Sequence, residues 1–408
     1  MICNVFIILT TQKKNKMKKN ILLLLVIFSI SNSFAQFTIT SGKNSMEISS
    51  NFSGFYNYRS LNSGEVDQSK NRFKLRDAQI GIEGRIGSDF EYTFKADIAD
   101  MAANTITNVI DPENPGLLNA NVTYKGFKFL EVEMGYGKLY YSRNSMVPLE
   151  NSAYWQAAEI TRGSVFSVRD IGVTLKKNFW NQRANAYLGA YTGLGELSLA
   201  GDNDPSGHLE YIGRFDLAFP CRYRYTEIDE RHTPIPMFQF GVAGRYADKK
   251  LPVGTSFPTN ATSVYGLKVI DGERYVYGFD AAFQYLGFSA QFEIHQMKSK
   301  PQNPNDPLFH NYTLDQTNGY FLTGGYIAQI NYYVKNWRTI LSARYEELDL
   351  NDLVVGSARR FSPAIGYKLK GSNNAMLKFQ YFNILRDESI DPQTWKEQFR
   401  LGFQFQLK

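Results

Sequence analysis

The sequence predicts an all-β fold, a transmembrane antiparallel β-barrel of about sixteen strands with an inward-folded long loop. Three observations lead there. Apolar and polar residues alternate with period two over segments of ten or more residues, and the connections between these segments alternate between short and long. Beyond the N-terminal region no apolar run approaches the roughly eighteen residues that a membrane helix needs.

The alternation is plain in several places. Phe90, Tyr92, Phe94, Ala96 and Ile98 alternate with Glu91, Thr93, Lys95, Asp97 and Ala99. Leu130, Val132, Met134 and Tyr136 alternate with Glu131, Glu133, Gly135 and Gly137, and Phe399, Leu401, Phe403, Phe405 and Leu407 with Gln398, Arg400, Gly402, Gln404 and Gln406. In a strand the two sets face opposite sides of the sheet. The chain has 30 Phe and 26 Tyr yet a mean hydropathy of −0.34, as suits strands that are apolar on one face only. A soluble sandwich alternates too, but its strands are usually about five or six residues long.

Short connections hold Ile86-Gly87-Ser88-Asp89, Lys125-Gly126, Leu286-Gly287, Lys335-Asn336 and Gly371-Ser372-Asn373-Asn374. Long ones run near 60–71, 101–116, 139–167, 193–208, 248–271, 299–318, 348–357 and 384–394. This is the rhythm of periplasmic turns and extracellular loops. The segment 220–235, with Pro220, Pro234 and Pro236 in or beside it, falls where a short turn belongs and reads as an enlarged turn.

The N-terminus reads as an upstream segment and a cleaved signal peptide over residues 1–35. Met17-Lys18-Lys19 is a positive start, Ile21 to Ile30 an apolar stretch, and Ser33-Phe34-Ala35 a cleavage site. The barrel domain is expected over 36–408. Removing the leader takes away five lysines and no acidic residue, so the formal charge of +6 falls to +1. The basic character of the whole chain is therefore no argument for nucleic acid. Cys3 leaves as well, so Cys221 stays alone and no internal disulfide is possible.

Several short motifs resemble one known family. Phe73-Lys74-Leu75-Arg76-Asp77-Ala78-Gln79-Ile80-Gly81-Ile82-Glu83-Gly84, followed by Phe90-Glu91-Tyr92-Thr93-Phe94-Lys95-Ala96-Asp97, resembles an early hairpin of the phosphate-selective porins O and P. Tyr124-Lys125-Gly126-Phe127-Lys128-Phe129-Leu130 with Gly135-Tyr136-Gly137-Lys138 is similar to that family's next hairpin, and Arg169-Asp170-Ile171-Gly172-Val173 to its strand after the long loop. The resemblance covers residues 73–176. It implies a sixteen-stranded, trimeric outer-membrane channel with basic residues along the pore, passing small anions such as phosphate without a cofactor. The chain departs from the family pattern at Asp77, where a further basic residue is common, and in ending at Lys408 rather than at an aromatic residue.

Selectivity in such a channel lies in the lumen wall and its constriction. Loop 139–167 is the longest and carries Arg143, Glu150, Glu159 and Arg162, with Lys138 at its base. It is expected to form the constriction, with Lys138, Arg143 and Arg162 as its positive side; the plainer reading is a surface loop. By parity, Arg245, Arg274, Arg338, Arg344, Arg360, Lys368, Lys378 and Arg400 face the lumen against Asp280, Glu293 and Glu346. In the earlier strands Lys95, Lys176 and Arg214 stand against Glu91, Asp97, Glu131, Glu133, Glu210 and Asp216. The expectation is a basic C-terminal wall facing a more acidic N-terminal one. Guanidinium forks suit phosphate oxygens, although each arginine can instead pair with a carboxylate across the barrel.

Other signals are weaker. His208, His232, His295 and His310 show no metal-binding spacing. Asp202-Asn203-Asp204 lacks the later ligands of a calcium loop and suits a turn. Gly193-Leu194-Gly195 reads as a loop edge, and Arg169-Asp170 as a local ion pair. Two competing functions are an outer-membrane barrel enzyme, with Ser289, Glu293 and His295 on one strand as its thin support, and an adhesin or structural barrel with a filled interior.

Overall fold

The computed structural model describes residues 37–61, 70–107, 116–161, 166–195, 199, 206–250, 272–302, 315, 317–353, 356–370, 375–385 and 395–407. The leader, the proposed boundary at residue 35, Arg162, His310 and Asp202-Asn203-Asp204 lie outside these residues.

Seventeen strands follow one another in an antiparallel sheet. They are β1 (Phe37–Ser41), β2 (Asn44–Leu61), β3 (Asn71–Ile86), β4 (Phe90–Asp97), β5 (Leu117–Tyr124) and β6 (Glu131–Lys138). After the long loop come β7 (Arg169–Phe179), β8 (Ala184–Tyr191), β9 (Glu210–Phe219), β10 (Met237–Lys249), β11 (Gly272–Tyr285) and β12 (Phe288–Pro301). The series ends with β13 (Phe321–Val334), β14 (Thr339–Asp349), β15 (Ala358–Lys368), β16 (Ala375–Leu385) and β17 (Trp395–Leu407).

Strands β2 to β17 each pair with their sequence neighbours, and β17 pairs with β2 from Leu407 opposite Ser50 to Trp395 opposite Leu61. The ring is thus closed at sixteen strands. Closure gives the backbone N–H and C=O groups partners within the sheet, as a structure surrounded by lipid requires. The seventeenth strand, β1, folds back on β2 through Gly42 and pairs Phe37 with Ile48 and Ser41 with Asn44. It takes up the stretch of β2 that lies beyond the end of β17.

Outward side chains are apolar: Phe73, Leu401, Phe403, Phe292 and Val242 are all exposed on the outer face. Gln404, Gln380, Gln329 and Gln239 are buried on the inner one. Strands β4, β5, β6 and β8 have eight residues each, whereas β11, β12 and β13 have fourteen. The barrel therefore has one low wall and one tall wall.

Two departures from strict alternation have local causes. The pattern in β4 runs on to Ile98 in sequence, but the strand stops at Asp97. Its carboxylate accepts from the N–H groups of Ala99 (3.0 Å) and Asp100 (3.4 Å) and so starts helix α1 (Ile98–Thr107). In β3 the register against β2 steps from Asp77–Ser53 to Leu75–Gly54, leaving Arg76 as a bulge residue. The bulge turns both Arg76 and Asp77 toward the lumen, while Leu75 and Ile80 stay outside.

Candidate functional site

The lumen beside the tall wall is filled. Loop residues Leu139, Tyr141, Ala158, Ile160 and Phe166 form a core with the inward-facing Ile212, Val276, Met297, Phe321, Ile327 and Leu348 of the wall. A second cluster joins Ala153 and Tyr154 of the loop, Ile228 of the turn 220–236, and Tyr333, Ile340, Ala364 and Met376. Each large apolar side chain buried this way contributes about 1.5–3 kcal/mol.

Polar contacts fix the loop to the wall. Ser142 caps the short helix α2 (Arg143–Met146) by accepting from Ser145 N (3.2 Å), and its hydroxyl donates to Glu293 (2.8 Å). Asn144 Oδ1 accepts from Ala158 N (3.0 Å) and Thr161 Oγ1 (2.8 Å), drawing the two ends of the loop together. Tyr154 donates to the Ser362 carbonyl (3.1 Å), and the backbone N–H of Trp155 to Gln380 (3.0 Å).

The turn 220–236 enters from the opposite end. It is an enlarged turn whose middle is buried: Glu227, Ile228 and Asp229 are all inside. Asp229 accepts from Thr233 N and Gly287 N, both at 2.9 Å, and holds the turn against the β11–β12 connection. Glu227 accepts from Gln329 (3.0 Å), Asn144 Nδ2 (3.2 Å) and Ser152. Loop and turn therefore meet at one carboxylate inside the barrel.

The arginines singled out on the tall wall lie beneath this filling. Arg245 makes a two-pronged contact with Glu210 (2.8 and 3.1 Å), and Arg274 reaches the same carboxylate (3.0 Å). Arg344 donates to Gln329 (2.8 Å) and to the Gln156 carbonyl (3.0 Å), with Glu227 at 3.6 Å. Arg360 lies between Glu346 (2.7 Å) and Glu159 (2.9 Å). Arg143 is buried, donates to Gln239 and to the Thr226 carbonyl (3.1 Å), and stacks on Tyr223 and Tyr225. Arg338 is not on a strand: it ends the β13–β14 turn and donates to the Leu369 carbonyl (2.7 Å).

Open space lies on the other side. A cavity of about 520 Å³ runs between the loop and the walls of β2–β7, β16 and β17. Nine cationic residues line it, namely Arg59, Arg72, Lys74, Arg76, Lys95, Lys138, Arg169, Lys378 and Arg400, against Asp77, Asp100 and Glu150. Of the basic residues expected to face the lumen, Lys95, Lys138, Lys378 and Arg400 are among them. The expected contrast of a basic C-terminal wall with an acidic N-terminal one is not what the cavity presents. Acidic residues of the middle strands pair with the arginines: Glu210 with Arg245 and Arg274, and Asp216 and Asp280 with Arg214.

Arg72, Lys74 and Arg76 descend β3 at every second residue, so all three face inward while Phe73 and Leu75 face out. Lys74 is opposite Phe55, Phe55 opposite Gly402, and Gly402 opposite Lys378, forming one row across four strands. A Cβ on Gly402 would stand 2.0 Å from the Gly54 carbonyl oxygen. Lys378 and Arg400 place their cations 5.2 Å from the Trp155 ring and 4.9 Å from the Phe55 ring.

Lys95 and Glu150 bridge wall and loop at 3.2 Å. They line both the large cavity and one of about 20 Å³ that continues past Ser49 and Gly81. Burial pushes the Glu150 carboxyl up, but the Lys95 ammonium, the backbone and Lys138 outweigh it and hold it down to about 2. Asp100 on α1 goes the other way: burial first, and then the Asp97 charge, push it up to about 7.

The residues that hinted at an enzyme do not form a triad. Ser289 donates to the Glu227 carbonyl (2.6 Å), while Glu293 stands between Ser142 and His295 (2.9 Å). Asp170 accepts from the N–H groups of Gly193 (2.7 Å) and Gly195 (3.1 Å), which closes the β8–β9 loop edge. Among the described residues no group of three His, Cys, Asp or Glu could hold a metal ion.

Residues 46–211 match the family model for phosphate-selective porin O and P. The barrel is an outer-membrane porin. No protein of curated function matches this porin in sequence. Its fold is similar to that of the anion-selective porin from Comamonas acidovorans (TM-score 0.54, 12% identity, covering 89% of this chain and 99% of that one). It is also similar to Salmonella typhi OmpF in complex with daunomycin (0.57, 13%, 91% and 100%) and to the outer-membrane channel DcaP of Acinetobacter baumannii (0.54, 13%, 91% and 99%). Family and fold point to a channel rather than an enzyme.

Proposed function

We propose that this porin passes small hydrophilic anions, phosphate among them, through the space between loop 139–161 and the walls of β2–β7, β16 and β17. The observation that carries the reading is the cavity lining, with nine cations against three carboxylates. A narrow lumen of one sign between low-dielectric walls raises the local concentration of the opposite ion. Guanidinium forks match phosphate oxygens, and Arg72 and Arg76 supply two of them, with Lys74 as a point charge between; Arg76 also contacts Asp77 and the Trp155 carbonyl, both at 3.4 Å. Passage is by diffusion, with no bond made or broken. In this reading the loop sets the constriction, and the Lys95–Glu150 bridge ties it to the wall.

The assembly proposed is a homotrimer. The eight-residue strands β4, β5, β6 and β8 are shorter than the roughly nine to eleven residues that a tilted strand needs to cross lipid. Phe94, Val122, Met134 and Leu188 are exposed on their outer face, which suits contact with another copy.

Reversal potentials across a planar bilayer in a salt gradient test the proposal. The expected result is a potential of the anion-selective sign, and cation selectivity would overturn it.

A further inference from the structure

We infer that the cavity selects organic anions with an apolar portion, such as aryl phosphates, over bare inorganic ones. The inference rests on the anion-channel reading and narrows its substrate class.

The argument starts from what faces the cationic ladder. Loop residues 145–150 lie across the cavity, and wall residues have tied up their carbonyls. Lys138 donates to the Ser145 and Val147 carbonyls (2.6 and 3.4 Å). Lys378 donates to the Leu149 carbonyl (3.2 Å) and Gln404 to the Glu150 carbonyl (2.7 Å). With those groups satisfied, this run offers the cavity the half-buried side chains of Met146, Pro148 and Leu149, beside Ser145 and the Glu150 carboxylate that Lys95 holds at 3.2 Å.

One wall is therefore cationic, and the facing one is apolar over Met146–Leu149. A hydrated inorganic anion gains nothing from an apolar wall and loses water beside it. An anion with an aromatic or alkyl group places its charge on Arg72, Lys74 and Arg76 and its apolar part against Met146, Pro148 and Leu149. The volume of about 520 Å³ is of the size that binds small organic ligands. Trp155, on the same cavity, also holds a buried indole N–H without a partner among the described residues, a donor open to a ligand oxygen.

The experiment measures block of single-channel chloride current by phenyl phosphate and by inorganic phosphate in the intact protein. Half-block by phenyl phosphate is expected at a concentration about tenfold lower, the gain from shielding part of one ring. Met146→Ser and Leu149→Ser are expected to remove that advantage while leaving block by inorganic phosphate unchanged, which also shows that the variants are folded. Equal block of the unaltered channel by the two probes overturns the inference and leaves anion selectivity standing. Cation selectivity in the same recordings overturns both.

Discussion

The guanidinium of Arg344 on β14 lies 3.9 Å from the centre of the Tyr154 ring, pinning loop 139–161 to the far wall of the barrel. Arg344 also neighbours Glu227 at 3.6 Å, so one side chain serves wall, loop and turn. Replacing it by Met leaves Glu227 buried without its main countercharge. Breaking a buried pair from one side costs about 3–5 kcal/mol. Arg344→Met should therefore unfold at lower temperature or denaturant concentration than the parent, read from the heat-induced mobility shift of the folded barrel on a gel.

Position within the lumen separates arginines that select from arginines that brace. Arg72→Gln and Arg76→Gln should each lower the anion-to-cation permeability ratio, because both line the open cavity. Arg274→Gln should leave that ratio almost unchanged, since Arg274 is buried against Glu210. Reversal potentials of the three variants give the answer directly.

The permeability ratio should also depend on pH. The Asp100 carboxyl, raised to about 7, is charged above that pH and neutral below it. Acidification through pH 7 removes a negative charge from a basic lumen, so anion selectivity should rise. Asp100→Asn should show a smaller change of selectivity between pH 6 and 8 than the parent, and a titration as large as the parent's in this variant would exclude Asp100 as a source.

Deleting 144–160 removes the loop segment that divides the lumen. Single-channel conductance should increase severalfold, while the sixteen-strand ring, whose pairing does not involve the loop, stays closed. Unchanged conductance would show that the loop does not set the bore.

A methyl group at Gly402 has nowhere to go, since the Gly54 carbonyl oxygen sits 2.0 Å from its position. Gly402→Ala should push β17 away from β2 at the seam and lower the yield of folded barrel, measurable as the heat-modifiable fraction after refolding.

Much of this molecule is legible in its sequence because a strand in lipid shows its two environments at every second residue. The alternation of Phe399 to Leu407 with Gln398 to Gln406 becomes an outer and an inner face, and 220–235 is indeed an enlarged turn. Parity gives a direction but not what covers the inward side. Arg245, Arg274, Arg344 and Arg360 point inward as their parity requires, yet the loop and turn lie over them. A sign of this was present: Ile212, Val276, Met297 and Ile327 are also inward by parity, and a wetted lumen has no use for them. The ladder Arg72, Lys74, Arg76 has the same period-two signature as the last strand. Past Arg76 the bulge breaks the parity, so that Asp77 becomes lumenal, and no count along the sequence reveals the extra residue.

The meeting of Asn144 and Ser152 with Glu227 has a mechanical consequence. A segment that enters from the cell exterior and one that enters from the periplasm share a carboxylate inside the tube, so the two membrane faces are joined by a strut through the bore. Load on the inner rim is carried to the segment that sets the aperture, and neither can be displaced without straining the other.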